Sequence, residues 1–104
     1  MANQIVVWSP ETQEDVDDIA AYIARGSVFY AGAVVEKMLA TAAELNLFPE
    51  AGRVVPELNQ PDLRERFVYS YRLIYKVEIT RILIVAAIHG RRLLDEAVAD
   101  RMMG

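Results

Sequence analysis

Apolar and polar positions follow two rhythms along the chain, and the change between them falls near Pro49. Ile5-Val6-Val7-Trp8 is short, β-branched and aromatic, which predicts a strand. Ser9-Pro10-Glu11 then supplies a capping hydroxyl, a proline suited to the first helical turn and an acid at the positive end of the helix dipole. Val16, Ile19, Ala20 and Ile23 recur at helical spacing, while Glu14, Asp15, Asp17 and Asp18 give the same helix a solvated acidic side. Gly26 is expected to stop this helix and Ser27 to cap a second. The apolar face of that second helix reads Ala31, Val34, Val35, Met38, Leu39, Ala42 and Leu45. A join this short predicts an antiparallel helical hairpin.

Beyond Pro49-Glu50-Ala51-Gly52 the period shortens to that of strands. Candidates are a start at Val54-Val55, then 64–69, 71–77 and 82–89, spaced closely enough for an antiparallel meander. The last is apolar almost throughout, as a strand covered on both faces would be. Gly90 ends it, and 91–103 reads as a short C-terminal helix. Leu93, Leu94, Ala97, Val98 and Met102 form its apolar stripe, expected to fold back onto the sheet. The predicted class is α+β: an N-terminal strand, an αα-hairpin on a mostly antiparallel sheet of three or four strands, and a short final helix, all one domain over 1–104. Alternation places Tyr71, Leu73, Tyr75 and Val77 under the helices, and Arg72, Ile74 and Lys76 on an open opposite face. Arg64 and Arg66 share a face with Val68. Register permitting, they join Arg72 and Lys76 as four cations on one surface.

Composition narrows the class. The chain is 54% hydrophobic and 25% charged, a balance typical of soluble globular domains. The N-terminal MANQIVVW has neither the basic head nor the apolar stretch of a signal peptide, and a cytoplasmic location is expected. With no cysteine there is no thiolate for catalysis or metal binding, no metal-ligand spacing occurs, and no glycine loop suits a cofactor phosphate; neither cofactor nor metal is expected. The net charge of −4 argues against a protein that coats nucleic acid. The charges are divided, however: 1–52 hold two basic and eight acidic residues, whereas 64–92 hold seven basic and two acidic. Such asymmetry suits either an anionic partner for one face or two halves that attract each other.

Four segments in series carry a family resemblance: WSPET…DVDDIAAYIA, LNLFPEAGR ending at Arg53, YRLIYKV (Tyr71 to Val77) and ILIVAAIHGRR (Ile82 to Arg92). In this order they resemble the RelE/ParE superfamily of type II toxin–antitoxin toxins, and its ParE-like branch more than its RelE-like one. The resemblance implies a toxin that causes growth arrest and serves plasmid stabilisation, held inactive by a cognate ParD-like antitoxin, with DNA gyrase as target and DNA approached only through the antitoxin. The alternative it implies is a RelE-like endoribonuclease that cleaves messenger RNA on the ribosome. Fold does not decide between them, so the residues must.

RNA cleavage through the 2′-hydroxyl needs a base, an acid and cations for the developing phosphorane charge. The candidates here are His89, Tyr75 (or Tyr71), Arg72 and Arg91, with Arg64 and Arg66 as further cations. His89 is the only histidine, so no histidine acid–base pair is possible, and its plainer role is to cap the last strand on a backbone group. The acidic total charge also suits a ribosome-docking protein poorly. A non-catalytic toxin is therefore expected, with Arg64, Arg66, Arg72, Lys76, Arg91 and Arg92 as candidates for contact with target or antitoxin. Arg53 is expected to staple the helical hairpin to the sheet, and Tyr22, Tyr30 and Tyr69 to pack.

Overall fold

The structure, a computed structural model, describes residues 4–103. Met1 to Asn3, part of the N-terminal segment weighed above against a signal peptide, lie outside it. The chain runs β1 (Ile5–Trp8), α1 (Pro10–Ala24), α2 (Val28–Glu44), β2 (Arg53–Val54), β3 (Leu63–Val68), β4 (Tyr71–Val77), β5 (Arg81–His89) and α3 (Glu96–Met103). It is the expected α+β arrangement, with one strand more in the sheet. The order is β1-β5-β4-β3-β2, in which β2 to β5 form an antiparallel meander and β1 lies parallel to β5.

Local chemistry sets each junction. The Ser9 hydroxyl accepts from the Thr12 N–H at 3.1 Å, with Pro10 in the first turn of α1. The buried Thr12 hydroxyl in turn donates to the Ile84 carbonyl at 2.9 Å, tying the start of α1 to β5. Ser27 caps α2 through the Tyr30 N–H. α1 ends at Ala24 with Arg25 as its cap, just before Gly26 as expected, but without a left-handed turn, since no glycine among the described residues has positive φ.

The helical hairpin covers one face of the sheet with Val34, Met38, Ala42 and Leu45 over Leu73, Tyr75, Ile82 and Ile84. The other face is not open. Val55, Leu58 and Leu63 close it from one side and Leu94, Val98 and Met102 from the other, over Ile74, Val85 and Ile88. The tail thus packs on its own sheet as anticipated, though Leu93 and Ala97 of the expected stripe are exposed. Its helix begins only at Glu96, because the Asp95 carboxylate takes the Val98 N–H at 2.9 Å and fixes the start there. Register passes from Ile74↔Ala86 to Tyr75↔Ile84, leaving Val85 as a bulge. One further expectation is overturned: Leu39 is 53% exposed, because α2 turns Met38 inward and Leu39 past the edge of the hairpin contact.

Candidate functional site

Directly opposed residues of neighbouring strands share a face. Arg64 opposes Tyr75 and Arg66 opposes Leu73, so both lie on the helix side. Arg72 opposes Ile88 and Lys76 opposes Leu63, on the α3 side. The four cations therefore do not gather on one surface; the register puts them on two. Arg64 donates to the Pro61 and Gly52 carbonyls, holding the loop before β2. Arg66 stands 3.6 Å from the Glu44 carboxylate.

Arg72 is 4% exposed, not displayed on an open face. Its Nε donates to Glu65 at 2.7 Å, its two terminal nitrogens clasp Glu57 at 2.7 and 2.8 Å, and it also reaches the Arg92 carbonyl at 3.2 Å. A further contact of 2.6 Å to Glu65 completes the set. The bidentate clasp of Arg72 holds the Glu57 carboxyl down to about 2. Glu65, wholly buried, accepts from Arg53 as well, at 2.6 Å. Arg53 staples β2 to β3 rather than hairpin to sheet, and its guanidinium lies over the Phe67 ring. Glu57 and Glu65 were not singled out in the sequence. The signal was present in Glu65, the one acid inside the Arg64–Arg66 alternation, seven residues before Arg72.

Of the four candidates for RNA cleavage only His89 and Arg91 are neighbours; Tyr75 and Arg72 are buried on opposite faces of β4. Tyr75 is buried, its hydroxyl accepts the Gly52 N–H at 2.9 Å, and burial raises that hydroxyl above the ordinary tyrosine range. His89 opposes Tyr71, four residues along β4 from Tyr75, or about 13 Å at the usual strand rise. Arg72 sits on the opposite face from both tyrosines. His89 does take the plainer role foreseen for it: its Nδ1 accepts the Arg91 N–H at 3.1 Å. Of the six cationic candidates, Arg91 and Arg92 are exposed, and of these two it is Arg92 that meets a carboxylate, Asp95 at 2.6 Å.

The tyrosines do not pack as expected. Tyr22, Tyr30 and Tyr69 are 68%, 45% and 56% exposed and surround the half-buried Tyr71 at one end of the molecule. Tyr30 meets Tyr69 edge-on at 6.0 Å, and Tyr71 meets His89 the same way at 5.5 Å. Burial, followed by the neighbouring Tyr30 and Tyr22 phenols, pushes the Tyr71 hydroxyl upward. A second exposed band is aliphatic and aromatic: Val28 and Phe29 at the start of α2, Leu39 midway, and Leu47 and Phe48 beyond its end. Leu39 faces Trp8 and Val16 across a shallow slot between the helices and β1. Among the described residues no cluster of metal-ligating side chains occurs, and no helix is long and apolar enough to cross a membrane.

Comparison with known proteins adds to this geometry. The family model described as the ParE toxin of the type II toxin-antitoxin system parDE matches residues 6–94. A solved structure described as the chromosomal ParDE TA system from P. aeruginosa is similar at a TM-score of 0.68 and 17% identity, covering 83% of this chain and 95% of that one. At that identity the likeness is one of fold. No curated protein matches the chain.

Proposed function

The chain belongs to the ParE toxin family of type II toxin–antitoxin systems, and from that membership we propose that it arrests growth by inhibiting DNA gyrase in the cytoplasm, stabilises the plasmid or chromosomal segment that encodes it, and is neutralised by a cognate ParD-like antitoxin. The observation that carries the antitoxin reading is the set of exposed apolar side chains in and after α2. Phe29 is 88% exposed, and Val28, Leu39, Leu47 and Phe48 are further exposed apolar side chains in or just beyond α2. Large apolar side chains left in solvent ask for a covering partner. An amphipathic segment of the antitoxin, laid into the slot beside Leu39, supplies that cover.

The burial of Tyr75 and Arg72 on opposite faces, away from an exposed His89, favours poisoning of an enzyme over RNA cleavage by this chain. Supercoiling by purified gyrase, run beside an in vitro translation reaction, tests the target. Supercoiling is expected to fall while messenger RNA stays intact, and equimolar antitoxin to restore it. Cleaved message with untouched supercoiling would overturn the reading in favour of a RelE-like ribonuclease.

A further inference from the structure

A groove of about 710 Å³ opens between the α1–α2 turn and the ends of β4 and β5. That volume is in the range of sites that take small-molecule ligands. The chain has 15 acidic and 11 basic residues, yet the groove is lined by no carboxylate. It presents Arg25, His89, the Ser70 hydroxyl and the phenols of Tyr22, Tyr30 and Tyr71. Each polar side chain there can donate a hydrogen bond. At its rim Tyr69 holds φ at 53°, a left-handed conformation that a bulky side chain adopts only when its surroundings impose it. Glycine or asparagine would fit this turn with less strain, and the tyrosine ring packs edge-on against Tyr30.

We propose that this groove binds a nucleobase together with its adjoining phosphate, the base stacked among Tyr22, Tyr71 and His89 and the phosphate held by Arg25. Aromatic faces accept any base, and a guanidinium beside them meets the phosphate. The orientation follows from charge. A neighbouring groove shares Tyr22, Tyr71 and His89 but runs on to Asp15, Asp18 and Arg92. Asp15 is occupied by Arg101 and the Ala87 N–H, and Arg92 by Asp95, whereas Asp18 adds negative charge at that end. The anionic group is therefore directed the other way, towards Arg25, which lies over the Tyr22 ring and meets no carboxylate among the described residues. A protein partner would also use tyrosines, but a concave site without carboxylates selects a planar anion. The proposal is independent of gyrase as target.

The test is titration of the full chain, at low salt, with AMP and with labelled single-stranded oligonucleotides of about eight residues. Binding of at least one probe is expected. Tyr22→Leu and Arg25→Glu should each weaken it about tenfold or more, with Tyr22→Phe within about threefold of the parent because the stack survives. Both side chains are exposed, so the variants should keep the parent circular dichroism. AMP that displaces the oligonucleotide identifies a free nucleotide as sufficient, and oligonucleotide binding without AMP binding identifies a strand; either supports the site. No binding of either probe overturns the proposal and leaves the groove to a protein partner. Binding that Tyr22→Leu and Arg25→Glu leave unchanged overturns it too, as does a loss in Tyr22→Phe as large as in Tyr22→Leu.

Discussion

Arg72 makes four hydrogen bonds, two to Glu57, one to Glu65 and one to the Arg92 carbonyl, and stands in a further ion-pair contact with Glu65. Lysine in its place keeps the charge but lacks the planar fork, leaving part of this set unpaired. Arg72→Met leaves Glu65 buried with Arg53 alone, and loss of one partner from a buried pair costs about 3–5 kcal/mol. Urea denaturation is expected to rank wild type above Arg72→Lys and Arg72→Lys above Arg72→Met. Equal midpoints would show that the network adds nothing to stability. Glu57 gives the same cluster a pH signature. Its carboxyl is lowered from 4.5 to about 2 by the Arg72 hydrogen bonds. A depressed folded-state value means that its stabilisation is complete above the unfolded value and is lost as pH falls from about 5 towards 2. Allowing for screening at its exposed edge, that contribution is about 1–2 kcal/mol. Thermal midpoints of wild type and Glu57→Gln should therefore differ at pH 7 and converge near pH 2. A constant gap across that window would sink the assignment.

At the scale of elements, the sequence made the first half nearly transparent, since caps, proline and a 3.6-residue period all agree over 9–45. Its error there was one residue of phase: Met38 and Leu39 are adjacent and both apolar, and only packing shows which of them faces Val34 and Ala42. Met38→Ala is accordingly expected to cost about 2–5 kcal/mol through cavity formation, whereas Leu39→Ala should stay within about 1 kcal/mol and weaken antitoxin binding instead. Chemical denaturation and a titration with the antitoxin separate the two effects; a large stability loss at Leu39 would contradict its exposure. The second half was harder to read for a physical reason. A strand that is apolar from Ile82 to Ile88 carries no alternation, so neither the bulge at Val85 nor its two covered faces leave a mark in the pattern. The α3 face looked open because its cover comes from dispersed residues, Val55 and Leu58 on one side and Val98 and Met102 on the other. The site suffered most from this, since Arg72 could be taken as displayed only while that cover was unseen.

Across the whole molecule, the acidic first half and the basic second half are joined by only two ion pairs among the described residues, Glu44–Arg66 and Asp15–Arg101. Mutual attraction of the halves therefore accounts for little of the asymmetry. Most pairing is internal to the second half, where Arg53, Arg72, Arg81 and Arg92 each find an acid nearby. What remains outside the sheet and open to a partner is the short segment after β5. Arg91 meets no carboxylate, and Arg92 holds Asp95 only in an exposed contact of a kind worth about 0–1 kcal/mol. The Arg92 atom that matters to the fold is its backbone carbonyl, which any residue supplies to Arg72. The double change Arg91→Ala/Arg92→Ala is thus expected to cost less than about 1 kcal/mol, a fall in thermal midpoint of no more than about 4–8 °C. If these two cations contact the target, it should relieve growth arrest at an unchanged level of folded protein. Arg72→Lys provides the contrast, because any loss of toxicity there should track a loss of folded protein. Growth curves after induction, normalised to soluble toxin, read both. A double variant that stays fully toxic removes Arg91 and Arg92 from the contact surface, and one that fails to fold makes the segment part of the scaffold.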